Sequence, residues 1–210
     1  MNFHNQERLP YRALLSVSDK SALEELARFL IDMGWEIVAT DGTAGYLEEK
    51  EINVTRVSKL LGFSQCLGHR VKTLDLRILG GLLWDKNNAK HNQEVKKLDF
   101  IHFDLLVASF YPFEKAVQKD YFRKEPVIEY IDIGGPTMLR SAAKNFNSVI
   151  PLVKKEDYKL IINKLKKAGG SPNGISSITR RKLALTAFKH LIHYDNTIAS
   201  YLENWNFEGI

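Results

Sequence analysis

The sequence predicts an α/β fold: a doubly wound, mostly parallel sheet with helices on both faces, followed by a C-terminal helical extension. Three observations predict it. Short, wholly apolar runs alternate with amphipathic segments, as buried parallel strands alternate with the helices that cross between them. A chain of 210 residues that is 44% hydrophobic and 26% charged can bury a full core, which excludes disordered and fibrous classes. No internal repeat or low-complexity tract interrupts the alternation.

Ala13 to Val17 reads as the first buried strand. Leu23, Leu26, Ala27, Leu30 and Met33 then recur at helical spacing, and Gly34 is placed to close that helix. A second strand is expected from Ile37 to Thr40, a short helix from Asp41-Gly42-Thr43 to about Glu51, and a third strand from Val54 to Val57. Gly62, Gly68, Gly80 and Gly81 break residues 62–81 into loops in this reading. Leu105 to Ala108 is the next strand, with Pro112 suited to the first turn of a following helix. After Ile131-Asp132-Ile133-Gly134-Gly135-Pro136 come a helix through Lys144, a strand near Val149 to Val153 and a helix around 157–168. Gly169 to Gly174 reads as the internal linker. Residues 178–205 form a long helix whose apolar stripe is Leu183, Ala187, Leu191, Tyr194, Ile198 and Leu202. The expected division is a domain over 11–168 and a helical extension over 175–206.

The formal charge of +5 is local, since residues 154–182 hold nine basic and two acidic side chains. That stretch lacks interleaved aromatics or a recognition motif, so it reads as a solvated helix face; no nucleic-acid partner is expected. Cys66 is the sole cysteine, which excludes an intrachain disulfide and a cysteine-pair metal site. The start MNFHNQERLP has no signal pattern, and no apolar run is long enough to span a bilayer. These features point to a cytoplasmic protein with no membrane partner.

Open parallel sheets bind ligands beyond the carboxyl ends of their strands. Those positions carry Ser16, Ser18 and Lys20 after the first strand, Thr40, Gly42 and Thr43 after the second, Ser109 and Tyr111 after the strand at 105, and Asp132 and Gly134 in the later glycine turn. Hydroxyls, glycine amides and a lysine at helix N-termini suit a phosphate dianion, whereas the plain reading of Ser18 and Thr43 is helix capping. Arg70, Lys72 and Thr73 add donors in the glycine-rich segment. Tyr111 reads locally as a core tyrosine, and Asp132 as a cap. His190 and His193 share a helix face but have no third ligand, and His4, His69, His91 and His102 form no motif. No nucleophile elbow, GxxxxGK[ST] loop or GxGxxG occurs.

The segments SVSDK (16–20), ATDGTAGYL (39–47), GHRVKTL (68–74), FYPF (110–113), YIDIGGPTMLRSAAKN (130–145) and RRKLALTAFKHLIHYDNTIASYL (180–202) occur in this order. Together they resemble the IMP cyclohydrolase domain of the bifunctional purine-biosynthesis enzyme whose other half is the AICAR transformylase, over about residues 11–205. The resemblance implies a methylglyoxal-synthase-like fold and closure of a formamidoimidazole-carboxamide ribonucleotide to IMP and water, with no metal or organic cofactor. It implies Lys72, Tyr111, Asp132 and Lys144 as the catalytic set. Ser18, Lys20, Thr40, Gly42, Thr43, Lys72 and Thr73 would hold the 5′-phosphate region, and Arg70, Ser109, Phe110, Asp132 and Gly134 the base end. It further implies a homodimer and a nucleotide precursor as partner. The chain is expected to lack the transformylase domain, so that a separate transformylase would supply the substrate.

Three departures stand out. Asp75, Leu76 and Leu79 replace a histidine-proline pair and a further histidine, Asp41 stands where glycine is usual, and Ser109 replaces an asparagine. The changes at Asp41, Asp75, Leu76 and Leu79 favour, as an alternative, a non-catalytic purine-nucleotide-binding regulatory module of the same fold.

Overall fold

A computed structural model describes residues 10–68, 70–98, 100–118 and 127–204. Five strands, β1 (Arg12–Val17), β2 (Glu36–Ala39), β3 (Thr55–Arg56), β4 (Leu105–Ser109) and β5 (Ile150–Leu152), form one sheet in the order β3-β2-β1-β4-β5. Every pairing is parallel, with Leu14 of β1 beside both Val38 and Leu106. Alternation sends successive side chains to opposite faces. Ala13, Leu15 and Val17 enter one core with α1 (Leu23–Asp32), α2 (Asp41–Glu48) and α8 (Tyr158–Lys167). Leu14, Val38, Leu106 and Ala108 enter the other, with α3 (Val57–Leu61), α4 (Leu76–Leu83), α6 (Phe113–Gln118), α7 (Gly134–Lys144) and α9 (Ser177–Glu203). The central strands are therefore apolar on both sides, which is why they read as unbroken hydrophobic runs. The sheet is doubly wound, as the alternation predicts.

Gly34, at φ 76, ends α1 where expected. The segment 62–81 departs from the reading as loops: its last six residues are wound into α4. Asp75 caps that helix by accepting from the Arg77 amide at 2.8 Å, and the Arg77 guanidinium reaches the Leu60 and Leu61 carbonyls at the end of α3. Gly80 and Gly81 serve close packing, since a Cβ on Gly81 would lie 1.7 Å from the Ile101 carbonyl oxygen and one on Gly80 2.8 Å from the Phe100 ring. A further helix, α5 (Ala89–Leu98), buries no residue and so carries no apolar period to predict it.

Residues 169–174 are a fixed connection rather than a slack linker. The Trp35 indole N–H donates to the Gly170 carbonyl at 2.8 Å, Tyr11 and Ser171 hydroxyls meet at 3.2 Å, and Pro172–Gly174 is one 3-10 turn. Arg180, expected on a solvated basic face, is 6% exposed and donates to the carbonyls of Ile175, Phe146 and Pro172, tying α9 to the segment before it. On α9 the predicted stripe is buried through Tyr194, while Leu202 is exposed. Residues 205 and 206 of the predicted extension, and His4 and His69, lie outside the described residues.

Candidate active site

The carboxyl ends of β1, β2 and β4 and the start of α7 surround a cleft of about 1010 Å³. Parallel strands bring this about because each must hand its chain to a crossover at the same edge of the sheet. Thirteen of the candidate site residues named from the sequence line the cleft: Ser16, Ser18, Lys20, Thr40, Gly42, Thr43, Arg70, Lys72, Thr73, Ser109, Tyr111, Asp132 and Gly134. They come from both halves of the chain.

On one side is a corner of hydroxyls. Thr43 is 1% exposed, and its Oγ1 accepts from the Val17 amide at 3.1 Å while lying 3.3 Å from the Val17 carbonyl. Thr40 has no side-chain capping bond; its hydroxyl lies 3.3 Å from Thr43 Oγ1 and 3.4 Å from Ser16 Oγ, and can donate to either. The capping explanation therefore fails for Thr43, which lies inside α2 with Thr40 at the capping position, and fails also for Ser18, because α1 begins only at Leu23. The Ser18 hydroxyl donates to the Phe110 carbonyl at 2.7 Å and its amide to Ser109 Oγ at 3.0 Å, joining the ends of β1 and β4. Asp41 lines the same corner, and its carboxylate accepts the Ser58 hydroxyl at 2.5 Å.

Across the cleft, Asp132 sits just ahead of α7. Its carboxylate accepts from the Gly135 amide at 2.9 Å. Burial raises its pKa above the ordinary value, with the amides of Gly135 and Gly134 and the Lys72 ammonium acting in the opposite sense. Both glycines are required by contact: a Cβ on Gly135 would lie 2.6 Å from Asp132 Oδ2, and one on Gly134 2.5 Å from the Oγ1 of buried Thr73. Lys72 is exposed to the cleft, and Tyr111, 37% exposed, lies with its ring 6.2 Å from that of Tyr130. Arg70 pairs with Glu129 at the cleft wall.

Two expected site residues lie elsewhere. Phe110 is 5% exposed and turns its ring into the core, with centroids 5.1 Å from His190 and from Tyr194; only its carbonyl serves the site, through Ser18. Lys144 ends α7, exposed and ten residues beyond Gly134, which a rise of about 1.5 Å per residue converts to about 15 Å. A lysine cannot bridge that distance to a proton held at Asp132 in the same chain. The divergent Asp75, Leu76 and Leu79 are also absent from the lining, Asp75 as the cap of α4 and the two leucines as parts of it.

Sequence reasoning missed Tyr194. From α9 its hydroxyl accepts the Asp132 amide at 2.7 Å. The one available signal was a tyrosine on a buried stripe, whose hydroxyl must find a partner inside. Ser58, Ser64, Gln65 and Glu129 also line the cleft. Among the described residues no group of His, Cys, Asp and Glu could hold a metal ion, and no helix is long and apolar enough to cross a membrane.

The chain resembles known proteins over nearly its whole length. Residues 22–137 match the MGS-like domain and residues 142–209 the AICARFT/IMPCHase bienzyme. The bifunctional purine biosynthesis protein PurH of Acetivibrio thermocellus is 41% identical over 191 residues, 91% of this chain and 36% of the relative. PurH of Natranaerobius thermophilus is 44% identical over 193 residues, 92% of this chain and 36% of the relative. This chain thus spans little more than a third of those curated relatives. The crystal structure of ForH matches with a TM-score of 0.80 at 34% identity, covering 92% of this chain and 97% of that one. On these grounds the chain belongs to the MGS-like domain family, and its later residues to the AICARFT/IMPCHase bienzyme family.

Proposed function

We propose that this chain is an IMP cyclohydrolase of purine biosynthesis, closing 5-formamidoimidazole-4-carboxamide ribonucleotide to IMP and water. The observation that carries the reading is the gathering of Lys72, Tyr111 and Asp132 in one cleft, opposite a corner of hydroxyls with Lys20 and the start of α2. The likeness to PurH supports it. In the step, the carboxamide nitrogen bonds to the formyl carbon and the formyl oxygen leaves as water. One proton comes from the carboxamide and one from the formamido N–H. Both reacting groups are already on one molecule, so holding them in a reactive geometry supplies much of the acceleration.

The phosphate is assigned to Ser18, Lys20, Thr40 and the amides about Gly42, where a helix N-terminus favours an anion. Thr43 holds this frame from behind through the Val17 amide, and Thr73 supports the far side of the cleft against Gly134. Asp132, whose burial disfavours its charge, accepts the carboxamide proton as general base. Lys72 and Tyr111 donate to the oxygen that becomes negative on attack, a contribution of about 100- to 1000-fold. Ser109 and Gly134 border the base, with Arg70 at the rim. Lys144 takes no part in this scheme. The reaction needs no metal or organic cofactor, and formylation of its substrate belongs to a transformylase outside these residues.

A regulatory nucleotide-binding module keeps one observation in its favour, the Asp41 carboxylate on the phosphate side of the cleft. The two readings separate on supplying the formylated nucleotide and following IMP formation by absorbance, with Lys72→Ala as control. The cyclohydrolase reading expects acceleration that Lys72→Ala loses by about 100-fold or more. Tight IMP binding without acceleration would replace it by the regulatory one.

A further inference from the structure

Glu129 lines the cleft beside Arg70, and the scheme above gives it no task. Its carboxylate takes one whole edge of the Arg70 guanidinium: Nε donates to Oε2 at 3.1 Å and Nη2 donates to Oε1. The two residues are 59 positions apart, so only the fold brings them together. The backbone on each side of the pair is held. Cys66 and Val71 exchange two backbone hydrogen bonds, at 3.0 and 3.3 Å, and the Arg70 amide donates to the Leu67 carbonyl at 3.3 Å. Glu129 belongs to a 3-10 turn, Val127–Tyr130, which Val127 pins in the core and which lies just ahead of Asp132.

An exposed ion pair contributes little to stability, and 67% of the Arg70 side chain and 29% of that of Glu129 are exposed. What the pair fixes is direction. An arginine that is loose on the surface gives up rotamer freedom when it binds a ligand, whereas one already gripped along an edge has less to lose. The guanidinium is a planar, rigid fork, so a grip on Nε and Nη2 leaves Nη1 with both of its N–H groups. Among the described residues none accepts from Nη1. We propose that Glu129 is a positioning residue: by gripping one edge of Arg70 it presents Nη1 to the base end of the cleft. There Nη1 donates to the base carbonyl, which is the carboxamide oxygen of the substrate and the ring oxygen of IMP. This rests on the nucleotide site proposed above. The contact is made before and during ring closure alike, so it belongs to binding and appears in KM rather than kcat.

Calorimetric titration with IMP, and with ribose 5-phosphate, which lacks the base, tests it. Glu129→Gln keeps the shape and loses the charge. It should weaken IMP by about 3- to 10-fold, the cost of ordering one long side chain on binding, and leave ribose 5-phosphate unchanged. Arg70→Ala should weaken IMP at least as much, and adding Glu129→Gln to it should weaken IMP no further, because the glutamate acts only through the arginine. KM for the formylated nucleotide should rise with the IMP dissociation constant while kcat and Tm hold. Wild-type turnover is read separately, so that a failure of ring closure is distinguished from a failure of this assignment. Unchanged IMP affinity in Glu129→Gln, equal losses for IMP and ribose 5-phosphate, or a further loss on the Arg70→Ala background would overturn the proposal.

Discussion

Replacing Tyr194 by phenylalanine removes one oxygen atom from beneath the candidate active site and nothing else. Tyr194 is 6% exposed, its hydroxyl lies 2.7 Å from the Asp132 amide, and its ring packs at 5.1 Å from Phe110. The variant keeps the ring contact and leaves a partly buried N–H without that acceptor, at a cost of about 1–3 kcal/mol. For a chain of this size each kcal/mol moves Tm by about 2–4 °C, so a fall of about 2–12 °C is expected. Should the amide shift to find water, the Asp132 carboxylate shifts with it. Expressed wholly in the ring-closure barrier, the same energy is a fall in kcat of about 5- to 150-fold. KM should hardly move, because Lys20, Thr40 and Gly42 do not depend on this bond. Burial pushes the Tyr194 hydroxyl up to about 12, so it stays protonated through neutral and mildly alkaline pH. Differential scanning calorimetry and IMP formation at saturating and limiting substrate give the three readouts. Unchanged Tm and kcat, or a loss confined to KM, would refute a positioning role.

Two further outcomes follow from the same geometry. Burial raises the Asp132 pKa, so the stability this group contributes is fully present below its unfolded value of about 3.9 and is lost as pH rises through its folded value. Asp132→Asn should therefore melt at higher temperature than wild type at neutral pH, the gap closing as pH falls, while ring closure drops by about 100-fold or more; a variant no more stable at pH 7 would contradict the burial argument. Gly81→Ala would place a Cβ 1.7 Å from a backbone oxygen, and should cost about 3 kcal/mol or more in urea denaturation despite alanine's better helix propensity; wild-type stability would show that α4 does not need its glycines.

The strands were legible because a parallel sheet buried on both faces leaves continuous apolar runs, and the site's outline was legible because strand ends converge by topology. What escaped has physical reasons. Gly80 and Gly81 look alike as letters whether they bend a loop or admit a neighbouring backbone, and only Ile101 and Phe100 distinguish the two. Helix α5 buries nothing, so no periodicity marks it. Phe110 and Lys144 lie inside segments that carry site residues, yet strand alternation turns one ring inward and ten helical residues carry the other side chain away. Tyr194 reaches Asp132 from 62 residues along the chain, a contact that belongs to tertiary packing alone.

The position of β1 at the centre of the sheet sets an order of assembly. Arg12 bonds to Glu36 across 24 residues and to Asp104 across 92. Closing the longer loop costs only about 1 kcal/mol more, but at about 5–20 residues per second the ribosome needs about 3–14 s to make the difference. The hydroxyl corner draws on residues 16–43 and can fold while the rest is still being synthesised. The bond from Ser18 to Ser109 waits for β4, and that from Asp132 to Tyr194 for α9. Much of the half of the cleft suited to an anion can thus form before the half suited to chemistry, and the bond that fixes the Asp132 amide forms only when the final helix docks.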